Sequence, residues 1–582
     1  MKRLLLVVSV LSAVTASSRS MAGDLAGQLT STDGFISLGR YGVKVGDACN
    51  PYVDYNCEAN KAAIKAAIKA AAKNGQCDPY LDYKCLDAYL GDDVATRFYR
   101  YYLLEWGKAV APADPKAPPA ARPAAVWPPA PLPIPPFPFY DYSYGGTVAL
   151  GDTRPNMVDS PLMVAIANTS AGKALNDSHI QIYGWVNGGF NLSTNEVKPG
   201  GNGPIPYTYT PNTAQLDQAV IYVERLPDTV QTDHIDWGFR FSALYGENYR
   251  YTNSYGLASY QFNGNNYVNG YDFPMVYGDI FIPQIAQGLN IRIGRYISVP
   301  DIEAQLAPNN YTYTHSLTYG WDNYTNNGIL FSLAATKNLI VQAGITDGTE
   351  TPIWNYGVKI ANPFPNPLYP DTTMLKDPGN QPSLTFCLRF TSDSGNDTFY
   401  PCIDGINKGN WGYNNLQWHG FTYYHKFDAY WHLAFEAYYL SENDIPNIRN
   451  ATAQQIFAEG GTPFSPQYVP YNPPNLVYCN SVTALSCNAY AIGVTGYLNY
   501  SPDKLNNFSF RPEFYDDPQG WRTGTGAPVQ YYTATLSWQH WYSPQIEIRP
   551  EISYWRSVLA NAFDNGTKNS TYMFAMDGIF HF

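Results

Sequence analysis

Charge is scarce in this chain. Only 14% of its 582 residues are Asp, Glu, Lys or Arg, whereas a soluble globular chain carries about a quarter. The net balance is acidic, −12, which argues against a nucleic-acid partner, since that would need a basic face. Long apolar runs are also missing. Past the N-terminus no stretch reaches the ~20 residues that a membrane-spanning helix needs. Catalytic phrases are absent as well: there is no Cys-x-x-Cys, no haem-attachment Cys-x-x-Cys-His, no His-Glu-x-x-His and no phosphate-binding loop. The sequence therefore predicts no enzyme, no cofactor and no metal site, and it lends no support to a haem-linked electron conduit.

What is present points outward from the cell. Lys2 and Arg3, the short apolar run Leu4 to Val14, and the small residues Val14-Thr15-Ala16 read as a signal peptide over residues 1–16, too short to span a bilayer. No Cys follows closely enough to anchor a lipoprotein. Eight cysteines fall into four close pairs: Cys49 and Cys57, Cys77 and Cys85, Cys387 and Cys402, Cys479 and Cys487. An even count in an exported chain reads as disulfides, with local pairing as the simplest connectivity.

Aromatics make up 15% of the chain, including 50 Tyr and 13 Trp. Low charge with many aromatics suits a barrel whose outer face meets lipid, whose rims carry aromatic girdles and whose lumen is polar. Without an apolar helix, only a closed barrel satisfies its own backbone in lipid.

Three regions precede or form that barrel. Residues 24–111 make a small module with an internal repeat, Cys49-Asn-Pro-Tyr-Val-Asp-Tyr-Asn-Cys57 echoed by Cys77-Asp-Pro-Tyr-Leu-Asp-Tyr-Lys-Cys85. Between the copies lies an Ala- and Lys-rich helix with Lys61, Lys65, Lys69 and Lys73 along one face, and a second helix is expected from about Val94 to Val110. The stripe reads either as a solvated face or as a periplasmic contact with peptidoglycan. Residues 112–138 are a Pro-rich linker in polyproline II form. From Phe139 to Phe582 the texture is apolar–polar alternation of period two. At ~10 residues per strand plus turns and loops, this length holds on the order of 14–18 strands. The fold class is all-β, a transmembrane antiparallel barrel behind a helical, disulfide-stapled module.

The last strand is the sharpest local signal. Phe582, Phe580, Met576, Phe574 and Tyr572 share one face with Gly578, while His581, Asp577 and Met573 share the other. A terminal Phe582 after such alternation resembles the signature that the barrel assembly machinery reads in outer-membrane proteins. Pro512 and Pro550, both in the phrase Arg-Pro-Glu, would each remove a ladder donor and so predict bulges or strand ends.

Several phrases, in order along the chain, resemble the OmpL-like family of β-barrel porins. They are Ile182 to Phe190, Leu216 to Arg225, Asp236 to Gly246, Ile291 to Glu303 followed by Tyr313-Thr-His-Ser316, and near the end Phe510 to Gly520 and Ile548 to Ile552. The resemblance covers roughly residues 180 to 582 and implies a water-filled outer-membrane channel for passive diffusion of small hydrophilic solutes or ions. The Cys-rich module, the linker and the loop cysteines lie outside the family pattern.

By alternation, the charges expected to line the channel are Arg240, Asp279, Arg292, Glu436, Arg511, Glu513, Glu547, Arg549, Glu551 and Asp577. Glu303, with Asp301, is expected in a loop folded inward. Arg295 breaks the phase of its neighbours. The opposing expectation is that such charges pair with strand neighbours and merely solvate the wall. Cys387–Cys402 and Cys479–Cys487 read as stapled outer loops. Alternatives to a general porin are a sugar-selective channel or receptor, and an envelope tether through the N-terminal module. The implied surroundings are the lipid bilayer and lipopolysaccharide, with the oligomeric state open.

Overall fold

The computed structural model describes residues 87–102 and 160–582, less 199, 230, 252–268, 298–300, 324, 350–380, 395, 411–414, 429, 459–476, 504–505 and 544–545. The signal segment, the Lys stripe, the linker, Cys49, Cys57, Cys77 and Cys85 lie outside these residues. Two units are present, 1–104 and 105–582. In the first, α1 (Asp87–Leu90) and α2 (Val94–Tyr102) are joined at Gly91. Buried Arg97 donates to Asp87 at 2.9 Å and to the Gly91 carbonyl at 2.9 Å. The start of α2 coincides with the expected one, and residues 103–110 lie outside those described.

In the second unit, α3 (Pro161–Ile166) and α4 (Ser170–Asp177) precede seventeen strands among the described residues. The strands are β1 (Gln181–Ser193), β2 (Ala214–Arg225), β3 (Asp236–Gly246), β4 (Gly270–Asp272), β5 (Val276–Ile282), β6 (Leu289–Ile297), β7 (Thr325–Ala334), β8 (Leu339–Thr349), β9 (Ser383–Thr391), β10 (Asp397–Ile406), β11 (Gln417–Lys426), β12 (Trp431–Pro446), β13 (Ser486–Asp503), β14 (Asn506–Asp517), β15 (Val529–Ser543), β16 (Ile546–Val558) and β17 (Ser570–His581). Two short helices, α5 (Leu317–Gly320) and α6 (Ala451–Ala458), sit in loops. No described helix is long and apolar enough to cross a membrane.

Each strand pairs antiparallel with its neighbour in sequence. β4 and β5 both pair with β3 and form one stave, so the wall has sixteen staves. The ring closes where β1 meets β17, from Trp185 opposite His581 to Ser193 opposite Met573. At the seam, Gly184 and Phe582 exchange both backbone hydrogen bonds, at 3.0 and 2.9 Å. Closure leaves no open edge, the condition for strands to stand in lipid.

The two ends of the barrel differ. Connections at one end are short, such as 392–396, 504–505 and 544–545, and Gln181 and Phe582 lie at that end. Connections at the other end are long, such as 194–213, 298–324 and 447–485. Outward-facing strand residues are apolar: in β17, Tyr572, Phe574, Met576 and Phe580 are the less buried phase, while Met573, Asp577 and His581 are buried. Rings gather at both rims. Trp431–Tyr500 and Phe508–Trp538 lie near the short turns. Tyr439–Tyr490, Phe514–Tyr532 and Tyr554–Tyr572 lie toward the long loops. These are the two girdles of a transmembrane barrel.

Two expectations need correction. Pro512 and Pro550 sit inside β14 and β16 without a bulge. Pairing with the preceding strand lapses opposite each proline and resumes in the same register: Thr495 faces Glu513 and then Leu498 faces Phe510, and Ser537 faces Glu551 and then His540 faces Ile548. The missing N–H thus interrupts the ladder on one side only, and the intact ladders around it hold the register. Second, Cys387–Cys402 does not staple an outer loop. The two residues face each other on β9 and β10, bridged and buried, and the polar stretch between them is a short turn. Cys479–Cys487 does bridge the long loop 447–485 to the start of β13.

Candidate functional site: a loop across the barrel interior

The inward phase of the wall carries charge in ordered pairs. Arg240 donates to Glu224, its direct cross-strand neighbour, at 2.7 Å. Arg292 grips Asp279, again directly opposite, through two bonds of 2.9 Å. Arg549 holds Asp577 the same way, with Nε at 3.1 Å. Bidentate geometry of this kind fixes both side chains and strengthens the bonds. Arg240 and Arg292 also lie over the ring of Tyr277, at 5.8 and 3.8 Å, a cation–π contact.

The remaining interior charges do something the alternation does not reveal: they hold a loop. The connection between β6 and β7 turns into the barrel, and its described side chains are buried. Counted in staves, β14 stands eight positions from β6 in the ring of sixteen, and so on the opposite wall. The loop reaches it. Arg511 of β14 donates to Glu303 at 3.0 Å and to the Thr312 hydroxyl at 3.0 Å. Glu513 accepts from the amide and hydroxyl of Thr318, at 2.6 and 2.8 Å. Glu551 of β16 accepts from the amides of Tyr313 and Thr314, at 2.9 and 3.1 Å, and from the Thr314 hydroxyl. Glu436 of β12 accepts from the Ile302 amide at 3.0 Å. Arg549 donates to the carbonyls of Ala307 and Asn310. Glu547 accepts from Gln539 and lies 3.9 Å from Arg549.

The loop is also organised internally. Glu303 accepts from the amide and hydroxyl of Ser316, both near 2.9 Å, and from the hydroxyl of Tyr497. The Glu303 and Ser316 of the two family-like phrases therefore meet. His315 bonds the Ala304 carbonyl through Nε2 at 2.8 Å and stacks on Tyr207 at 3.7 Å. Burial lowers its pKa to about 4, so the ring is neutral at physiological pH. Neighbouring loops press on the same element: Arg522 donates to the carbonyls of Trp321 and Asp322, and Trp321 donates to Pro204. Gly320 lies against Pro206, where an added Cβ would stand 2.3 Å from the ring.

All eleven charges expected on the channel wall or its loop are thus on the buried, inward side. Several further interior residues escaped the sequence reading. Glu224 shares its phase with Val220 and Tyr222, so β2 shows no clean polar face. Asp217 accepts from Tyr313 at 3.2 Å and Gln215 at 2.7 Å. Asp404, in phase with Tyr400 and Cys402, collects Asn323, Asn326 and Thr385. Arg295 turns inward past Gly294, whose φ of +133° only glycine adopts freely, and grips Asp272 at 2.9 and 3.1 Å.

Residues 179–582 match the family model described as "Putative beta-barrel porin-2, OmpL-like". The chain belongs to this porin family. Its closed barrel agrees with that membership, and the protein is an outer-membrane porin. Among solved structures the porin is similar to the outer-membrane channel DcaP of Acinetobacter baumannii, at 9% identity over 69% of this chain and 97% of that one, with a TM-score of 0.40. An anion-selective porin from Comamonas acidovorans matches at 6% identity over 69% and 99%, TM-score 0.41. OmpF of Salmonella typhi in complex with daunomycin matches at 10% over 70% and 99%, TM-score 0.41. No curated protein matches this porin in sequence.

Proposed function

We propose that the porin passes small hydrophilic solutes or ions by passive diffusion, without enzymatic chemistry, and that its channel prefers cations. The observation that carries this reading is the uneven pairing of interior charge. Arg240, Arg292, Arg511 and Arg549 each hold a carboxylate. The acids exceed them: Glu551, Glu513 and Asp404 are met by amides and hydroxyls. Neutral donors offset part of the burial that disfavours the ionised carboxylate and cancel none of its charge, so the excess of acids biases the interior toward negative, and such fields set ion selectivity.

In this reading Arg240, Asp279 and Arg292 line the open side of the channel, the other eight wall and loop charges belong to the side that anchors the loop, and the loop narrows the passage. The loop packs against β2 and β12 to β16 and touches β10 where Asn323 meets Asp404, which leaves the passage on the side of β3 to β9. Phe582 serves as the assembly signal read by the barrel assembly machinery. With Gln181 at the short-turn end, the segment before it is assigned to the periplasm, within reach of peptidoglycan. Reversal potentials across a KCl gradient test the proposal: a cation preference supports it and an anion preference overturns it.

A further inference from the structure

The two feet of the inward loop meet the wall at a cluster of acids. Asp301 follows β6, Asp322 precedes β7, and Glu436 projects from β12. One carboxylate oxygen from each lies within 4.8 Å of the others, and all three residues are buried. Some interior acids are fully served: Glu551 collects three donors and Asp404 three side chains. Here service is incomplete. Glu436 accepts from Ile302 with Oε2, and Asp322 accepts from Asn323 with Oδ1 at 2.7 Å. Glu436 Oε1 and Asp322 Oδ2 meet no hydrogen-bond donor, although these residues are 1% and 0% exposed.

The nearby guanidinium does not resolve this. Arg522 directs Nε and Nη2 to the carbonyls of Trp321 and Asp322, and one guanidinium balances at most one of three carboxylates. Buried acceptors without donors are costly, and carboxylates crowded together disfavour one another's charge. A cation offsets both at once. Oxygen-only donors are those that Ca²⁺ takes, and one Ca²⁺ at ~2.3–2.6 Å from each oxygen spans such a cluster.

We propose that Asp301, Asp322 and Glu436 bind a calcium ion that ties both feet of the inward loop to β12. The site would make the loop's position depend on divalent cation, whichever solute the channel carries. The burial that raises the pKa of Asp322, aided by the charge of Glu436, is what a bound cation would counteract.

The test uses the full-length porin folded in detergent, stripped with chelator and titrated with Tb³⁺ near pH 7.5. Trp321, adjacent to Asp322, sensitises the luminescence. The expected result is saturable emission from one site, displaced by Ca²⁺, and weakened at least tenfold in Glu436→Gln. The double change Asp322→Asn with Glu436→Gln abolishes it, while exposed Asp233→Asn leaves it intact. Heat-modifiable migration confirms which samples are folded, and the single variant suffices if the double one does not fold. No saturable emission from folded wild type, or undiminished emission from folded Glu436→Gln, overturns the site; the carboxylates then share protons instead. Neither outcome depends on conductance, so the site and the channel reading fail separately.

Discussion

Arg511 and Glu303 join opposite walls of the barrel: the guanidinium on β14 holds the carboxylate of the loop that leaves β6, at 3.0 Å, with both groups out of contact with solvent. Removing one partner of such a buried pair costs about 3–5 kcal/mol, because the other is left uncompensated. Arg511→Met is therefore expected to free the loop without unfolding the barrel. Single-channel recordings should show larger and noisier openings than wild type, and unchanged steps would mean that Arg511 does not hold the constriction.

The seam gives a second expectation. Phe582 makes both of its backbone bonds to Gly184, and its ring lies against that residue, where an added Cβ would stand 2.6 Å from it. Deleting Phe582 removes the last rung of closure along with the terminal aromatic. The fraction of heat-modifiable, folded barrel in outer membranes should fall several-fold. Folded protein at wild-type level would remove the assembly role.

The bridge between Cys387 and Cys402 encloses a loop of 15 residues, for which chain entropy gives about 3 kcal/mol. It lies across two strands already in register. The pair of changes Cys387→Ser and Cys402→Ser should lower resistance to denaturant by up to about that amount and leave conductance unaltered. A changed conductance would show that the bridge shapes the channel.

His315 supplies a pH expectation. Its folded pKa, about 4, lies below the ~6.5 of a free imidazole. Neutral His315 is thus part of the folded loop. The stability it contributes is intact above about pH 6.5 and is lost progressively as pH falls toward 4. Its ring resonances in a His-selective NMR titration should stay neutral through pH 6 and move only near pH 4. A midpoint near 6.5 would mean that the ring is hydrated, not stacked on Tyr207.

Much of this was legible in the residues alone. The phase of Tyr572 to Phe582, the inward placement of the Arg-Pro-Glu charges and a strand number within the expected range all follow from period-two alternation, a local property. The use of those charges was not local. Glu551 and Thr314 are 237 positions apart, and nothing in either neighbourhood announces the other. The same holds for Cys387 and Cys402, whose spacing fits a loop staple and a cross-strand bridge equally well; only the register of β9 with β10 separates them. Pro512 and Pro550 misled for the opposite reason. The local rule is sound, but the unbroken ladders on both sides of each gap outweigh one missing donor.

The most direct measurement is conductance across a planar bilayer by the purified, folded wild-type protein. A porin whose interior is polar and crossed by an anchored loop should insert and give discrete, repeatable current steps, with reversal potentials that favour K⁺ over Cl⁻. A correctly folded preparation that stays silent, at any potential, would contradict the account.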